Sequence, residues 1–310
     1  MPTMTNSPDS PDHSDAPDPV DTSESELASK ASEIPLERLP EGFADRVRSP
    51  GTPASPRPAA TIILMRPTSG SEQSLEVLLL RRVRSAGFVP GAWVFPGGRV
   101  DTGDSAPGLL ERLGRSDGSE KASPNPSSHP PEALVAAIRE AFEETGILLA
   151  RDAQGVRAPS AGEDSQMDAL RTRLLDGAMS FGEILEHGPW WMDPGAVGYI
   201  AHWITPKAEP RRYDTRFFAG AVPEGTSERI HEAEASHSVW LSPVEALKRH
   251  SEGELPMIFP TIKTLEALRP FDHPDQVLEH HRDLEIPTIL PRLVRTPTGV
   301  GIRMPDEEEG

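Results

Sequence analysis

Arg139-Glu140-Ala141-Phe142-Glu143-Glu144 gathers three carboxylates and a guanidinium within six residues. Successive helical residues are separated by 100 degrees, so Ala136, Arg139, Glu140, Glu143 and Glu144 share one stripe, while Leu134, Val135, Ile138, Ala141 and Phe142 fall on the other side. Carboxylates three and four residues apart repel by a few tenths of a kcal/mol per pair, a cost that a purely structural helix has little reason to carry. A hard divalent cation removes the conflict. Oxygen-rich sites suit Mg2+ or Mn2+, which also bind phosphate oxygens and lower the pKa of a bound water. For an arbitrary pair of helical glutamates, a solvated face is the ordinary explanation, so the surroundings must decide.

Those surroundings are a helix with clear ends. Ser127 or Ser128 can cap it, Pro130-Pro131 admits the chain, Glu132 suits its first turn and Gly146 closes it after Thr145. Upstream, Ala60 to Met65 and Leu75 to Leu80 are β-rich runs separated by a turn-rich stretch, a strand pair; Ala92 to Phe95 is a short strand stopped by Pro96-Gly97-Gly98. Residues 102 to 130 are poor in large apolar groups and read as a mobile insertion, about 105–130, within the domain. Downstream, Gly198 to Thr205, Phe217 to Val222 and Ser238 to Leu241 predict strands, Pro243 to Arg249 and Thr261 to Leu268 predict helices, and Val300 to Met304 an added strand.

The string Gly97-Gly98-Arg99-Val100-Asp101-Thr102-Gly103-Asp104, followed by Arg139-Glu140-Ala141-Phe142-Glu143-Glu144-Thr145-Gly146-Ile147, closely resembles the box of the Nudix family, G-x5-E-x7-R-E-U-x-E-E-x-G-U with U a bulky apolar residue. Its second half agrees at every specified position. Two departures stand out: Asp104 occupies the first glutamate position, and 34 residues rather than 7 separate it from Arg139. A looped-out insertion still lets the two halves meet, since lengthening a flexible loop costs only ~0.6 kcal/mol per doubling. The shorter Asp104 either reaches the helix through water or merely anchors the loop. The resemblance implies an α/β/α sandwich with a mixed β-sheet between helices, and Mg2+ or Mn2+ held by the Gly98 carbonyl, Glu140 and Glu144. It further implies Glu143 as a second metal ligand or water-activating base, and Arg139 as the residue that holds the glutamates, so that Glu143, Arg139 and Glu140 form the catalytic set. Many family members add a carboxylate from a later loop, for which Glu232 and Glu234 are candidates, an ordinary acidic loop being at least as good an account.

The stretch from Leu79 to Gly98, with Gly87-Phe88-Val89-Pro90-Gly91 before Phe95-Pro96-Gly97-Gly98, resembles the coenzyme A diphosphatases. The split box and Arg211-Arg212-Tyr213-Asp214-Thr215-Arg216-Phe217-Phe218 resemble their acyl-coenzyme A branch. That branch implies cleavage of coenzyme A or its acyl esters to 3',5'-ADP and (acyl-)4'-phosphopantetheine. Arg81, Arg82, Arg84, Arg211 and Arg212 are forked donors suited to its phosphates, and Phe88 joins them as a substrate-binding candidate. For any one arginine, a solvated or salt-bridged strand end is as good an account. Gly87 and Phe88 stand where coenzyme A enzymes often carry a basic residue. Competing readings are hydrolysis of ADP-ribose, nucleotide sugars or dinucleotides, and a non-catalytic Nudix-fold regulator, against which the retained Glu140, Glu143 and Glu144 speak.

Composition bounds the rest. In 310 residues with 34 prolines, 25 glycines and 36% hydrophobic content, one domain with tails is the economical division: an acidic Pro/Ser-rich disordered tail over 1–57, the Nudix domain over 58–285 and an extension over 286–310. A net charge of -18 argues against nucleic acid and anionic membranes as partners; the resemblance implies a small-molecule nucleoside diphosphate derivative, with a homodimer left open as the assembly. The absence of cysteine excludes disulfides and thiolate chemistry. No apolar run approaches a membrane span, and Met1 to Ser10 lacks a secretory pattern, so a cytoplasmic address is expected.

Overall fold

A computed structural model describes residues 33–35, 43–48, 51–69, 75–85, 89–114 and 129–305. Along the chain run β1 (Glu33–Pro35), α1 (Phe43–Arg48), β2 (Arg57–Pro67), β3 (Leu75–Arg82), β4 (Trp93–Val94), β5 (Gly97–Arg99), α2 (Pro107–Leu110), α3 (Pro131–Thr145), β6 (Ala150–Arg151), α4 (Ser165–Leu175) and α5 (Phe181–His187). They are followed by β7 (Trp191–Met192), β8 (Val197–Ile204), β9 (Tyr213–Ala221), β10 (Ala235–Leu241), α6 (Pro243–Ser251), α7 (Phe259–Leu268), α8 (Pro274–His281), β11 (Thr288–Ile289), β12 (Arg292–Arg295) and β13 (Gly299–Arg303).

Ile62, Ile63, Leu64 and Met65 are all fully buried, as consecutive residues of a strand must be when both faces of the sheet are covered. The main sheet has the order β10-β3-β2-β9-β8-β11, with β4 beside β3 and β5 beside β2. It is mixed: β2 runs parallel to β9 from Arg57 opposite Tyr213 to Met65 opposite Ala221, and antiparallel to β3 and β5. Ile62, Leu64, Leu78, Leu80 and Phe218 pack with Leu134, Ile138 and Phe142 of α3, Met167 of α4 and Ile184 of α5. On the opposite face Ile63, Met65, Val77, Leu79 and Ala219 meet Ala246, Leu265, Leu268 and Val277 of α6, α7 and α8. The result is the expected α/β/α sandwich.

A second, smaller sheet of order β1-β13-β12 joins segments from both sides of the domain. Glu33 pairs with Gly301 and Pro35 with Gly299, so the stretch read as tail supplies one ordered strand. Within the segment expected to be a mobile insertion, residues 105–114 are ordered: a 3-10 turn over Thr102–Ser105 leads into α2, Leu109 is buried in the core, and Leu113 bridges to Met192, while residues 115–128 of that expectation lie outside the described residues. Apolar Leu109 and Leu113 give this part a reason to pack. The expected caps Ser127 and Ser128 lie outside the described residues, and α3 starts at Pro130 as N-cap, with no side-chain cap. The strand expected at Ala92 to Phe95 is present as β4, Trp93–Val94, and beyond Pro96 the chain forms a further short strand, β5, where a stop was expected. Among the described residues no helix is long and apolar enough to cross a membrane.

Candidate active site

The glutamate stripe of α3 lies under β5 and the turn that follows it, and is not a solvated face: Arg139, Glu140 and Glu144 are buried, and Glu143 is partly so. Arg139 organises them. Its Nε donates to Asp104 Oδ1 at 2.8 Å and one terminal nitrogen to Oδ2 at 3.0 Å, a two-pronged pair with a carboxylate that is only 1% exposed. The same nitrogen donates to the Arg99 carbonyl at 2.9 Å, while the other reaches Glu140 Oε1 at 2.9 Å and Glu143 Oε2 at 3.1 Å. Burial alone would lower the guanidinium pKa, but the Asp104 hydrogen bond and the surrounding carboxylates outweigh it and raise it, so Arg139 is a fixed cation. Asp104, accepting also from the Asp101 N–H at 2.8 Å, therefore anchors the loop to Arg139.

Gly98 has a steric reason to be glycine. A Cβ there would sit 2.4 Å from Glu140 Oε1, so the β5 backbone lies directly against that carboxylate. The neighbouring Gly97 N–H points to Glu144 Oε2 at 3.3 Å. The C-terminal end of α3 is held by Arg171 of α4, which donates to the carbonyls of Phe142 at 2.9 Å and Glu143 at 2.7 Å. Gly146, at φ 74, ends the helix and returns its N–H to Phe142 O. The N–H groups of Arg229 and His231 then bond the carbonyls of Thr145 and Glu144, and Val83 N–H bonds Glu234 O. That loop is pinned on both sides, which delivers Glu234 to the glutamates, close enough for its charge to raise the pKa of both Glu140 and Glu144. Glu232 does not line the cavity.

Electrostatically the cluster is under-compensated. Burial pushes the Glu140 carboxyl up to about 7 despite the Arg139 charge beside it, and raises Glu143 as well. Glu144 lies well above the usual carboxylate range, first through burial and then through Glu140 and Glu234. Among the described residues no three His, Asp or Glu side chains close a metal cage on their own. The donor chemistry nonetheless fits a hard divalent cation: buried carboxylates of like charge beside a glycine backbone, with one local guanidinium shared among them.

All four glutamates, Gly98, Arg99 and Arg139 line one cavity of about 1100 Å3, with Arg82 and Val89 on its wall. Val89 carries φ 44, unusual for a β-branched residue. Of the other expected substrate contacts, Arg81, Arg84, Arg211 and Arg212 do not line it. Arg212 is buried and gives its donors to the carbonyls of Thr205 and Ala54, so it fastens the approach to β2 and is not available to a phosphate. Phe88 lies outside the described residues. The sequence reading missed Arg99, whose place within the split box is a signal, and Arg171, which sits in a helix with no distinctive motif.

The profile of the NUDT19 Nudix domain matches residues 117–268. The acyl-coenzyme A diphosphatase NUDT19 of Homo sapiens is 28% identical over 246 residues, 66% of this chain and 66% of its own length. That of Gallus gallus is 29% identical over 219 residues, 58% of this chain and 57% of its own. The chain thus spans less than two thirds of these curated relatives. The crystal structure of a Nudix hydrolase from Alicyclobacillus acidocaldarius is 30% identical, with a TM-score of 0.61, over 73% of this chain and 96% of that one. A shared sandwich over nearly the whole of that structure, with the glutamate helix and its Arg139 lock in place, means that the chain belongs to the Nudix hydrolase family.

Proposed function

We propose that the protein is a Mg2+- or Mn2+-dependent hydrolase of a diphosphate linkage, acting on coenzyme A or acyl-coenzyme A to give 3',5'-ADP and (acyl-)4'-phosphopantetheine. The observation that carries the reaction is the convergence of Glu140, Glu143, Glu144 and Glu234 with Gly98 on one cavity wall. The substrate rests on the stretch from Leu79 to Gly98 and on the curated relatives named acyl-coenzyme A diphosphatase.

In this reading Glu140, Glu144, Glu234 and the Gly98 carbonyl hold the cation. When bound, it supplies positive charge to phosphate oxygens and acidifies a coordinated water. Arg139 keeps Glu140 and Glu143 in register through its hydrogen bonds and, being tied to Asp104 and Arg99 O, does not swing into the substrate. Glu143 keeps one oxygen on Arg139; the other accepts the proton of the attacking water, a role favoured by its raised pKa. Arg82 and Arg99, both on the cavity wall, replace the wider arginine set as the donors for the anionic part of the substrate.

The test is a panel of coenzyme A, 3'-dephospho-coenzyme A, ADP-ribose, NADH and diadenosine polyphosphates with Mg2+ or Mn2+, products identified by mass. Coenzyme A is expected to exceed its 3'-dephospho form roughly tenfold or more in kcat/KM, the worth of one charge-assisted hydrogen bond. Equal efficiency on the two, or preference for ADP-ribose, removes the coenzyme A assignment and leaves the hydrolase.

A further inference from the structure

Away from the glutamates the cavity wall turns apolar. Trp203 and Phe217 of the main sheet, Met257 and Phe259 around the start of α7, and Leu293 and Ile302 of the small sheet line it together. Trp203 and Phe217 are buried, but the other four are only half-buried. They present apolar surface to an open space, and several polar groups near them are engaged, although the buried Trp203 Nε1 has no hydrogen-bond partner. Thr205 Oγ1 accepts from Tyr213 N–H at 3.0 Å, His250 Nδ1 lies 2.8 Å from Leu255 O, and Glu209 sits in the field of Arg46. This end offers little to a second phosphate.

Leu293 and Ile302 are cross-strand partners in the antiparallel β12–β13 pair, so they stand on one face of the small sheet. That sheet is tethered to the main one. β11, just before β12, runs parallel to β8 with Ile289 opposite Trp203. Thr288 Oγ1 is 2.9 Å from His202 Nδ1, His202 Nε2 is 2.5 Å from Asp214 Oδ1, and Arg216 holds Asp214 at 2.9 Å. The cavity exceeds the ~300–1000 Å3 of ordinary small-molecule pockets, so it has room for more than the group that bears the diphosphate.

We propose that Leu293 and Ile302, together with Met257 and Phe259, form the subsite for an apolar acyl tail on the same molecule whose diphosphate lies at Glu140 and Glu144. Selection by tail length then belongs to a sheet built from segments on both sides of the catalytic domain. This rests on the coenzyme A reading above.

The experiment measures kcat/KM for coenzyme A, acetyl-, hexanoyl- and octanoyl-coenzyme A with the full chain and with Leu293→Asp, Ile302→Asp and the milder Leu293→Ala. Each methylene withdrawn from water is worth roughly fourfold in affinity, so octanoyl-coenzyme A is expected to exceed coenzyme A at least tenfold. The Asp variants are expected to cut that ratio tenfold or more and Leu293→Ala about threefold, chiefly through KM. A wild-type ratio near one, or variants that lower both substrates equally, would overturn the subsite while leaving coenzyme A hydrolysis standing. Failure to cleave any member of the series overturns the coenzyme A reading, and the subsite with it. Should the Asp variants not fold, the ratio in Leu293→Ala decides.

Discussion

Arg139 makes five hydrogen bonds, two of them to Asp104, and both partners are almost wholly buried. Asp104→Ala would leave a buried guanidinium without its strongest partner. Breaking such a pair from one side costs about 3–5 kcal/mol, and at roughly 2–4 °C per kcal/mol for a domain of this size the melting temperature should fall by roughly 10 °C. An unchanged melting curve would mean that Asp104 is a bystander. Glu144 presents the opposite case, a carboxylate that the fold holds at a cost. Its raised pKa means that the folded state favours the proton. That contribution is fully present below the unfolded value near about 4.3 and is lost as pH climbs through the folded one. With Glu140 titrating at about 7, metal-free protein should lose stability between pH 5 and 8. Thermal unfolding in EDTA checks this: Glu144→Gln is expected to melt higher than wild type at pH 8 and to show a shallower decline. A wild-type melting temperature that rises from pH 5 to 8 would contradict it.

Among the elements, the glutamate helix was legible because its signals are local: prolines at its entrance, Gly146 at its end and a stripe of carboxylates between. The strands at Ala60 to Met65 and Leu75 to Leu80 were legible because strands buried on both faces are apolar runs. α4, α5 and α8 were not read, since α4 mixes polar and apolar residues with little one-sidedness and the other two are short. Of the small sheet only β13 was legible, as the strand expected at Val300 to Met304; its edge partner was not, because Glu33–Pro35 is three residues long and pairs with Gly299–Gly301, a pairing for which no neighbouring residue carries a signal. The same holds for Arg212, where a guanidinium caps backbone carbonyls and sequence cannot tell that from one that binds phosphate. A chain starting at Gly51 tests the element directly. It keeps every strand of the main sheet but removes the edge partner of β13 and the contact of α1 with β12 and β13. We expect a lower melting temperature with hydrolysis of coenzyme A retained; an unaltered melting temperature would show that β1 and α1 add nothing to the fold.

At the scale of the molecule, the proposed function asks a chain with net charge -18 to handle an anionic substrate beside its own buried carboxylates. Arg139 is committed to those carboxylates, so in the proposed reaction a divalent cation would invert the local charge. The sandwich makes this arrangement rigid: β5 from one side, the Arg229 to Glu234 loop from the other and α3 beneath fix the donors around one cavity. The most direct test is hydrolysis of coenzyme A in Mn2+ against EDTA, with products read by mass, for wild type, Glu144→Gln and Glu232→Gln. Wild type and Glu232→Gln should release 3',5'-ADP and 4'-phosphopantetheine only with metal, and Glu144→Gln should lose at least about a hundredfold in kcat/KM, the ~3 kcal/mol scale of a lost charge-stabilising group. Turnover that persists in EDTA, or a Glu144→Gln enzyme as active as wild type, would contradict the account.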